Sequence, residues 1–476
     1  MILFSFCLFL FLFILVGALS LLKNKHTSTD YLIANRNIKP WMAALSAVAT
    51  NNSGYMFTGM IGFTYLIGFS TIWLLIGWIS GDFISSTFIH KKLRIQTEQK
   101  NEVSYASLLA KWGGADYRWI RVFGGLVTVI FLGTYAAAQL KAGSKALYVL
   151  FGWDYSVGAI IGSFIVLIYC FAGGIRASIW TDVAQSFVMI LAMAILFFVS
   201  LYDIGGFRLF IEKLQQVSPT YFSLFPPDLF LGSFWGPFLF VIGWLFAGFG
   251  VVGQPHIMIR FMAINDPHHM LKTRVYYYLW YLCFYLLTFG VGLLARLKIP
   301  DIGLFDEELA LPMLAKELLP HFFVGLVLAG LFAATMSTAD SQIISCTASI
   351  SHDFRLNPSG SYWFTKLVTL IVALIALMIA LFGHEKVFRL VLIAWSALAS
   401  SFGPLLVVYA LGERPVQITA VSMMAVGLIV TLSWTLLGYS EEIYEILPGM
   451  IAGFVPYGIQ KLYLKAVNVT EVEIKN

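Results

Sequence analysis

Long apolar runs separated by short polar stretches dominate the chain. Each run reaches the roughly 20 residues that a helix needs to cross the hydrocarbon core of a bilayer. The pattern predicts thirteen spans, at 1–22, 41–68, 69–90, 122–150, 155–172, 178–201, 235–252, 274–297, 322–351, 362–383, 387–410, 415–438 and 442–463. We therefore expect an all-α integral membrane protein with about 13 transmembrane helices.

The second span contains a local break in its helical pattern. Asn51, Asn52, Ser53 and Gly54 are poor helix formers, and they lie together at the centre of an apolar segment. Backbone that leaves the helix at this depth frees polar groups, and membranes tolerate it only where it lines a cavity. The second span therefore marks a candidate binding site.

The seventh span is interrupted in a similar way. Gly243, Gly248, Gly250 and Gly253 divide it, and a Gln-Pro-His sequence follows. Two broken spans five helices apart, each opening a run of five, are typical of an inverted-repeat transporter with a site near the bilayer centre. Glycine is also common in ordinary membrane helices. The candidate substrate-binding residues are Asn51, Ser53, Tyr55 and Phe249 at the breaks, with Tyr135 and Gln139 from the fourth span.

A stripe of oxygen-bearing positions runs through residues 331–345. Ala334, Ser337, Thr338, Ser341 and Ser345 share one helical face. Neutral oxygens of this kind can replace the water shell of a small hard cation. Small hydroxyl residues also mediate ordinary helix packing in membranes. An intramembrane acid at Asp340 favours the functional interpretation, because such acids are costly and usually functional.

Composition agrees with a membrane location and argues against an enzyme. Hydrophobic residues make up 59% of the chain and charged residues only 12%, with a mean hydropathy of +0.83. Soluble proteins carry roughly 25% charged residues. The four cysteines are far apart in apolar runs, and the sequence has no P-loop, zinc-protease or nucleophile-elbow motif. No nucleic-acid partner and no obligate protein partner are indicated.

The basic residues predict an orientation. Most of the 30 Lys and Arg residues fall in segments that are cytoplasmic if the N-terminus is outside and the C-terminus inside. The first apolar run resembles a signal peptide with Val16-Gly17-Ala18 as a cleavage site, but it lacks a basic leader and is long enough to span. We expect a retained first helix in a multi-pass protein of the plasma or bacterial inner membrane.

Three motifs together resemble the solute:sodium symporter family, and in particular the branch that contains bacterial sodium/proline symporters. They are Gly173-Gly174-x-x-Ala177-x-x-Trp180-Thr181-Asp182-x-x-Gln185, Gly253-Gln254-Pro255-His256 with Arg260-Phe261-Met262, and Met336-Ser337-Thr338-Ala339-Asp340-Ser341-Gln342. The resemblance extends in order over essentially the whole chain. It implies sodium as the coupling ion.

The resemblance also implies a leucine-transporter-type fold with two inverted five-helix repeats. In a single polytopic domain of residues 1–476, the corresponding segments are 1–40 for the extra N-terminal helix and inside loop, 41–201 and 235–410 for the repeats, and 411–476 for extra C-terminal helices and a short tail.

Matching motif positions imply two sodium sites. The principal site would use the carbonyl groups of Ala49, Asn52 and Ala334 and the hydroxyl groups of Ser337 and Thr338. Some family members have a second site, which in this sequence would consist of Asp182, Asp340 and Ser341. The chain also departs from the proline-transporting members. They carry an acid at position 51, a tryptophan at position 55, and an aromatic pair in place of Val251 and Val252.

The expected function is inward sodium-coupled uptake of a small organic solute by alternating access. The solute would be an amino acid such as proline or another carboxylated compound, and the other partners are sodium ions and the lipid bilayer. One alternative is proton coupling through Asp182 or Asp340, because buried acids also form proton relays. Another is a membrane sensor of solutes, which would need a separate output partner.

Overall fold

The computed structural model describes residues 1–475 except 24, 228, 230–231, 301–302, 358–359, 384–386 and 442; the side chains of 169, 172, 233, 441 and 467–475 lie outside the description. The described chain is helical throughout, as expected. Its α-helices are α1 Ile2–Leu19, α2 Ser28–Ile33, α3 Pro40–Phe57, α4 Gly59–Ile67, α5 Ile72–Lys100, α6 Tyr105–Lys111, α7 Arg118–Phe151, α8 Tyr155–Ile204, α9 Phe207–Val217, α10 Gly232–Phe249, α11 Pro255–Met262, α12 Met270–Lys298, α13 Ala310–Leu318, α14 His321–Ala348, α15 Tyr362–Phe382, α16 Val387–Ala410, α17 Gln417–Leu436 and α18 Ile446–Lys475.

Ten helical segments of the described chain are long and apolar enough to cross a membrane. They are Ile2–Lys23, Phe69–Lys100, Arg118–Phe151, Gly173–Ile204, Phe234–Gly253, Pro267–Lys298, His321–Asp353, Tyr362–Phe382, Val387–Ala410 and Gln417–Leu436. These ten make the protein a multi-pass membrane protein. The predicted total of thirteen is not confirmed, and the orientation of the termini stays a prediction.

The three other predicted spans are also helical but differ from a simple span. The 41–68 segment is divided between α3 and α4, and the 155–172 segment is the first part of α8, where only Tyr155–Ile168 is a shorter apolar helix. The last predicted span begins at residue 442, outside the described residues, and corresponds mostly to α18.

One face of the first helix packs against the bundle. Phe13 is fully buried, and the ring of Phe6 meets Phe332 of α14 edge-on at a centroid distance of 5.0 Å. Whether this helix is retained stays a prediction.

The polar stretch between the third and fourth predicted spans is largely helical. The sequence predicts a loop over 91–121, but α5 continues to Lys100 and α6 follows at Tyr105–Lys111. Arg94 explains the extension, because its buried guanidinium donates to the carbonyl oxygens of Ile264 (2.5 Å) and Asn265 (3.4 Å). Sequence periodicity alone does not reveal this contact with a distant segment.

The most buried of the ten candidate spans contains α14, which packs against α3, α7 and α8. Its neighbour α8 changes direction at Gly174, whose φ of 56° and ψ of −140° are not helical. A β-carbon there would collide with the Tyr31 carbonyl oxygen, so this position requires glycine.

A close helix contact joins α5 and α10. A β-carbon on Gly248 would collide with the carbonyl oxygen of Trp78 and would lie 2.8 Å from the Asp82 nitrogen. These atoms belong to the backbone of α5 and cannot rotate away. The small residue therefore sets the distance between the two helices, as small residues often do in membrane proteins.

We expect Gly248→Ala to lower stability, since overpacking typically costs about 1–3 kcal/mol and backbone atoms relax poorly. Gly133→Ala is the matched control, because Gly133 lies within α7 and a β-carbon added there would meet nothing within 4 Å. Thermal unfolding of the purified variants in detergent measures the difference. Equal melting temperatures for Gly248→Ala and Gly133→Ala would contradict this account of the contact.

Candidate sodium and solute site

The predicted break in the second span is present at Ser53. Its φ of 43° and ψ of 177° interrupt α3, and every residue from Ala43 to Phe57 is buried. The seventh span is interrupted as well, because α10 gives way to a 3-10 turn at Gly250–Gly253 and an extended Gln254 before α11 begins. Both predicted interruptions are confirmed.

The backbone next to Ser53 faces two hydroxyl groups of α14. Ser337 Oγ donates to the Ala49 carbonyl oxygen at 3.2 Å, and Thr338 Oγ1 donates to the Thr50 carbonyl oxygen at 2.9 Å. Both hydroxyls also lie near the Ala334 carbonyl oxygen, at 3.2 and 3.1 Å. The result is a buried cluster of neutral oxygens between a broken helix and the central helix.

This cluster contains most of the residues that the resemblance implies for the principal sodium site. Ala49, Ala334, Ser337 and Thr338 come together, and Asn52 is buried beside the break. The Thr50 carbonyl oxygen also lies in the cluster but was not predicted as a sodium ligand. Its position just before the break could have indicated it, because a break frees the carbonyl groups that precede it. Neutral oxygens suit sodium, and among the described residues no group of three or more His, Cys, Asp or Glu could hold a metal ion.

A second cluster, which we call the acid pair cluster, consists of Asp182, Asp340, Ser341 and Arg260. All four side chains are fully buried. Nη2 of Arg260 lies 3.3 Å from Asp182 Oδ2 and 3.9 Å from Asp340 Oδ1, and it also contacts Ser341 Oγ. The guanidinium therefore stands between the residues proposed for a second sodium ion.

Serine hydroxyls complete the acid pair cluster. Ser46 Oγ donates to Asp182 Oδ2 at 2.6 Å, and Ser178 Oγ donates to Asp340 Oδ1 at 2.9 Å. Two carboxylates face one guanidinium, so the cluster favours additional positive charge. Sequence reasoning cited Arg260 only as part of a motif. Arg260 lies beyond the predicted span 235–252 and beyond the candidate span Phe234–Gly253, so hydropathy gave no signal that it reaches the buried acids.

Four predicted solute residues meet at the break in α3. The Gly54 amide donates to Gln139 Oε1 at 2.7 Å, and the hydroxyl groups of Tyr135 and Ser53 are 3.4 Å apart. Nδ2 of Asn51 donates to Tyr277 instead, at 2.6 Å. The structure thus joins Tyr135 to Ser53 and Gln139 to the neighbouring Gly54, with Asn51 on the side of α12.

Tyr55 and Phe249 differ from one another in their surroundings. The ring of Tyr55 stacks on Phe388 at a centroid distance of 5.4 Å and lies 5.8 Å from Trp78. Phe249 is half-buried, and the ring contact described for it is with Phe246 of its own helix. No contact described for Phe249 joins it to the other predicted residues, so its role stays a prediction.

Several buried polar atoms beside the break have no hydrogen-bond partner within the described chain. The donors or donor-capable groups are Gln139 Nε2, Tyr55 Oη, Trp78 Nε1 and Asn52 Nδ2, and the acceptors are Asn51 Oδ1 and Asn52 Oδ1. Buried polar groups normally have partners, because leaving one unpaired costs about 1–3 kcal/mol. The group therefore has the character of a site for a polar ligand.

A cavity of about 680 Å³ opens on one side of this site. Among its lining residues are Phe63, Trp244, Phe388, Arg389 and Glu445. Phe388 also stacks on Tyr55, so these two rings separate the cavity from the break in α3. The Phe388 amide donates to Glu308 Oε1 at 2.8 Å, and Lys145 pairs with the same carboxylate.

A helical membrane bundle whose helices break beside a buried oxygen cluster defines a membrane transporter. The sodium:solute symporter family matches residues 31–427, and the chain belongs to this family. Its coupling ion is sodium. The sodium/proline symporter of Salmonella typhimurium is 29% identical over 97% of this chain and 93% of its own length, and that of Staphylococcus aureus is 30% identical over 94% and 90%. These relatives are symporters, which supports the expected non-enzymatic role.

Solved structures show the same fold. A Na+-coupled sialic acid symporter in a substrate-bound outward-open state superimposes with a TM-score of 0.80 at 18% identity, over 95% of each chain. Mhp1, a nucleobase-cation-symport-1 family transporter, superimposes in a closed conformation with a TM-score of 0.58 at 14% identity, over 92% of this chain and 95% of its own. The predicted resemblance is thus confirmed at the level of family and fold.

We expect Arg260→Ala to be strongly destabilising, because it leaves two buried carboxylates without their guanidinium, and breaking a buried ion pair typically costs about 3–5 kcal/mol. Arg208→Ala is the matched control, since Arg208 is exposed and pairs with Glu212 on the surface. Adding Asp182→Asn to Arg260→Ala is expected to recover part of the loss. Thermal unfolding measures all three, and a melting temperature for Arg260→Ala equal to that of Arg208→Ala would refute the pairing.

Proposed function

We propose that this protein couples the inward flow of sodium to the uptake of a small carboxylated solute, an amino acid such as proline. The names of the sodium/proline symporter relatives support this solute class. The observation that carries the proposal is the neutral oxygen cluster between α3 and α14, where hydroxyl groups of Ser337 and Thr338 meet backbone carbonyls.

In the proposed mechanism, sodium is held by the carbonyl groups of Ala49, Asn52 and Ala334 and by the hydroxyls of Ser337 and Thr338. The two hydroxyls now donate to carbonyl oxygens. When sodium enters, the hydroxyl hydrogens turn away, so that the hydroxyl oxygens and the carbonyl oxygens they had bonded to all face the ion. Because one ion then draws α3 and α14 together, sodium fixes the geometry of the break that faces the solute.

The acid pair cluster is the candidate for a second cation. Asp182, Asp340 and Ser341 surround Arg260, so sodium competes there with a guanidinium that is part of the chain. Ser341 also lies 3.2 Å from Thr50 Oγ1, which connects this cluster to the first one. Proton coupling through either acid is the second candidate mechanism, and the family's use of sodium disfavours it.

Alternating access in this proposal uses two inverted repeats, at residues 41–201 and 235–410. The breaks in α3 and between α10 and α11 fall at corresponding places near the start of each segment. The flanking segments 1–40 and 411–476 would supply additional helices, giving thirteen spans with the N-terminus outside and the C-terminus in the cytoplasm.

Replacing both hydroxyl ligands tests the sodium site. We expect Ser337→Ala/Thr338→Ala to raise the sodium concentration for half-maximal stabilisation or uptake at least tenfold, since a tenfold change needs only about 1.4 kcal/mol. Ser345→Ala is the matched control, because its hydroxyl donates at 2.8 Å to a carbonyl of its own helix. Thermal-shift titration with sodium chloride against choline chloride gives the measurement. An unchanged sodium dependence in the folded double variant would exclude this site.

A further inference from the structure

Asp82 is a buried acid that the sodium sites do not use. It lies within α5, is fully buried, and accepts a hydrogen bond from Tyr277 Oη at 2.8 Å through Oδ2. Its other oxygen, Oδ1, has no hydrogen-bond partner in the described chain. Among the described residues, no basic side chain forms an ion pair with it.

Arg274 attracts the Asp82 carboxylate electrostatically, but no charged group near Asp82 forms an ion pair with it among the described residues. Arg274 is half-buried and donates to Ser86 Oγ at 3.1 Å and to the Phe83 carbonyl at 3.3 Å. His90 stacks on Phe261 at 3.9 Å between ring centroids. The hydroxyl of Tyr278 bonds with Ser86 at 2.7 Å and also lies within hydrogen-bonding reach of the Asp82 carboxylate. A buried carboxylate without a counter-charge is costly and usually functional.

Asp82 is connected to the solute site through one hydroxyl group. Tyr277 Oη donates to Asp82 and accepts from Asn51 Nδ2 at 2.6 Å, and Asn51 also donates to Tyr281 Oη at 3.1 Å. Both amide hydrogens of Asn51 are therefore engaged, while its Oδ1 has no donor. Trp78, one helical turn before Asp82, lies beside Tyr55 at the break.

The unpaired atoms near the break divide into two chemical kinds. The acceptors are Asn51 Oδ1, Asn52 Oδ1 and Asp82 Oδ1, and the last of these belongs to a carboxyl group. The donor groups are Gln139 Nε2, Asn52 Nδ2, Trp78 Nε1 and the Tyr55 hydroxyl. A ligand that satisfies both kinds needs a hydrogen-donating positive end and a hydrogen-accepting negative end. A zwitterion has both.

We propose that Asp82 supplies the negative charge that recognises a protonated amine, so that the solute is an amino acid with at least one N–H bond and not a carboxylate alone. The inference rests on the proposed function and narrows its substrate class. In this arrangement Tyr277 orients Asp82, Asn51 supplies the second acceptor, and the carboxylate of the solute takes the donor groups. Asp82 thereby determines specificity.

A matched pair of probes tests the amine requirement. L-Proline has an N–H group, and tetrahydro-2-furoic acid has the same ring and carboxylate with an ether oxygen in its place. In thermal-shift titrations with sodium present, we expect L-proline or another amino acid of a small panel to stabilise the wild-type protein, and the ether analogue, lactate and N,N,N-trimethylglycine to have no effect. Stabilisation by an amine-free carboxylate, or by no amino acid while the sodium response persists, would overturn the inference but leave the sodium site standing.

Charge relocation tests the residue itself. Asp82→Asn keeps the shape of the side chain and is expected to weaken amino-acid binding at least tenfold while the shift caused by sodium alone is unchanged. Adding Asn51→Asp, which returns one negative charge to the other side of Tyr277, is expected to recover most of that loss. Asp203→Asn is the control, because Asp203 pairs with Lys298 at the surface.

Full amino-acid affinity in Asp82→Asn would reject the inference and favour a carboxyl group that holds a proton. No recovery in the double variant would reject the charge-recognition role. If Asp82→Asn fails to fold, as judged by loss of the sodium response, Tyr277→Phe serves instead. It keeps the carboxylate but removes its link to Asn51, and it is expected to weaken amino-acid binding at least threefold. Unchanged binding in a folded Tyr277→Phe variant would overturn the inference.

Discussion

The central physical constraint is that backbone polar groups inside a bilayer must find partners within the protein. The break at Ser53 violates helical bonding in α3, and it persists because α14 and α7 supply the missing partners. Ser337 and Thr338 donate hydrogen bonds to the carbonyl oxygens of Ala49 and Thr50, and Gln139 accepts one from the Gly54 amide. The groups that stabilise the break are therefore the same groups that are suited to bind an ion and a polar solute, so stability and binding depend on one set of contacts.

Buried charge is distributed unevenly around that break. In the acid pair cluster, Asp182 and Asp340 have Arg260 as a counter-ion, whereas Asp82 accepts a hydrogen bond from the Tyr277 hydroxyl and forms no ion pair among the described residues. This difference separates a cluster that already contains a cation from a carboxyl group that lacks one. An unpaired buried charge raises the free energy of the ligand-free protein. A ligand that supplies the opposite charge removes this penalty, and the gain adds to the binding free energy from its own contacts.

Close helix packing transmits these local features to the rest of the bundle. Gly248 allows α10 to lie against the backbone of α5 directly beside Trp78 and Asp82, and Trp78 in turn meets Trp395 at 4.9 Å between ring centroids. On the cavity side, Phe388 rests on Tyr55 while its amide is bound by Glu308. A change at the break therefore reaches α10 and α16, the helices that border the cavity, through contacts that have little room to adjust.

The sequence by itself determined the membrane class, the family, both helix interruptions and the hydroxyl stripe that contains Ser337 and Thr338. The family was indicated by three motifs that resemble it. The membrane class, the interruptions and the stripe are local properties, because hydropathy, helix propensity and a periodicity of 3.6 residues can be read from neighbouring positions. Only the tertiary structure decided which groups meet. It brought Arg260 between two acids, placed Asp82 one hydroxyl away from Asn51, and gave Thr338 the Thr50 carbonyl as its partner. Such contacts join residues that are distant in the chain, and their pairing depends on helix rotation and spacing, which a linear pattern does not specify.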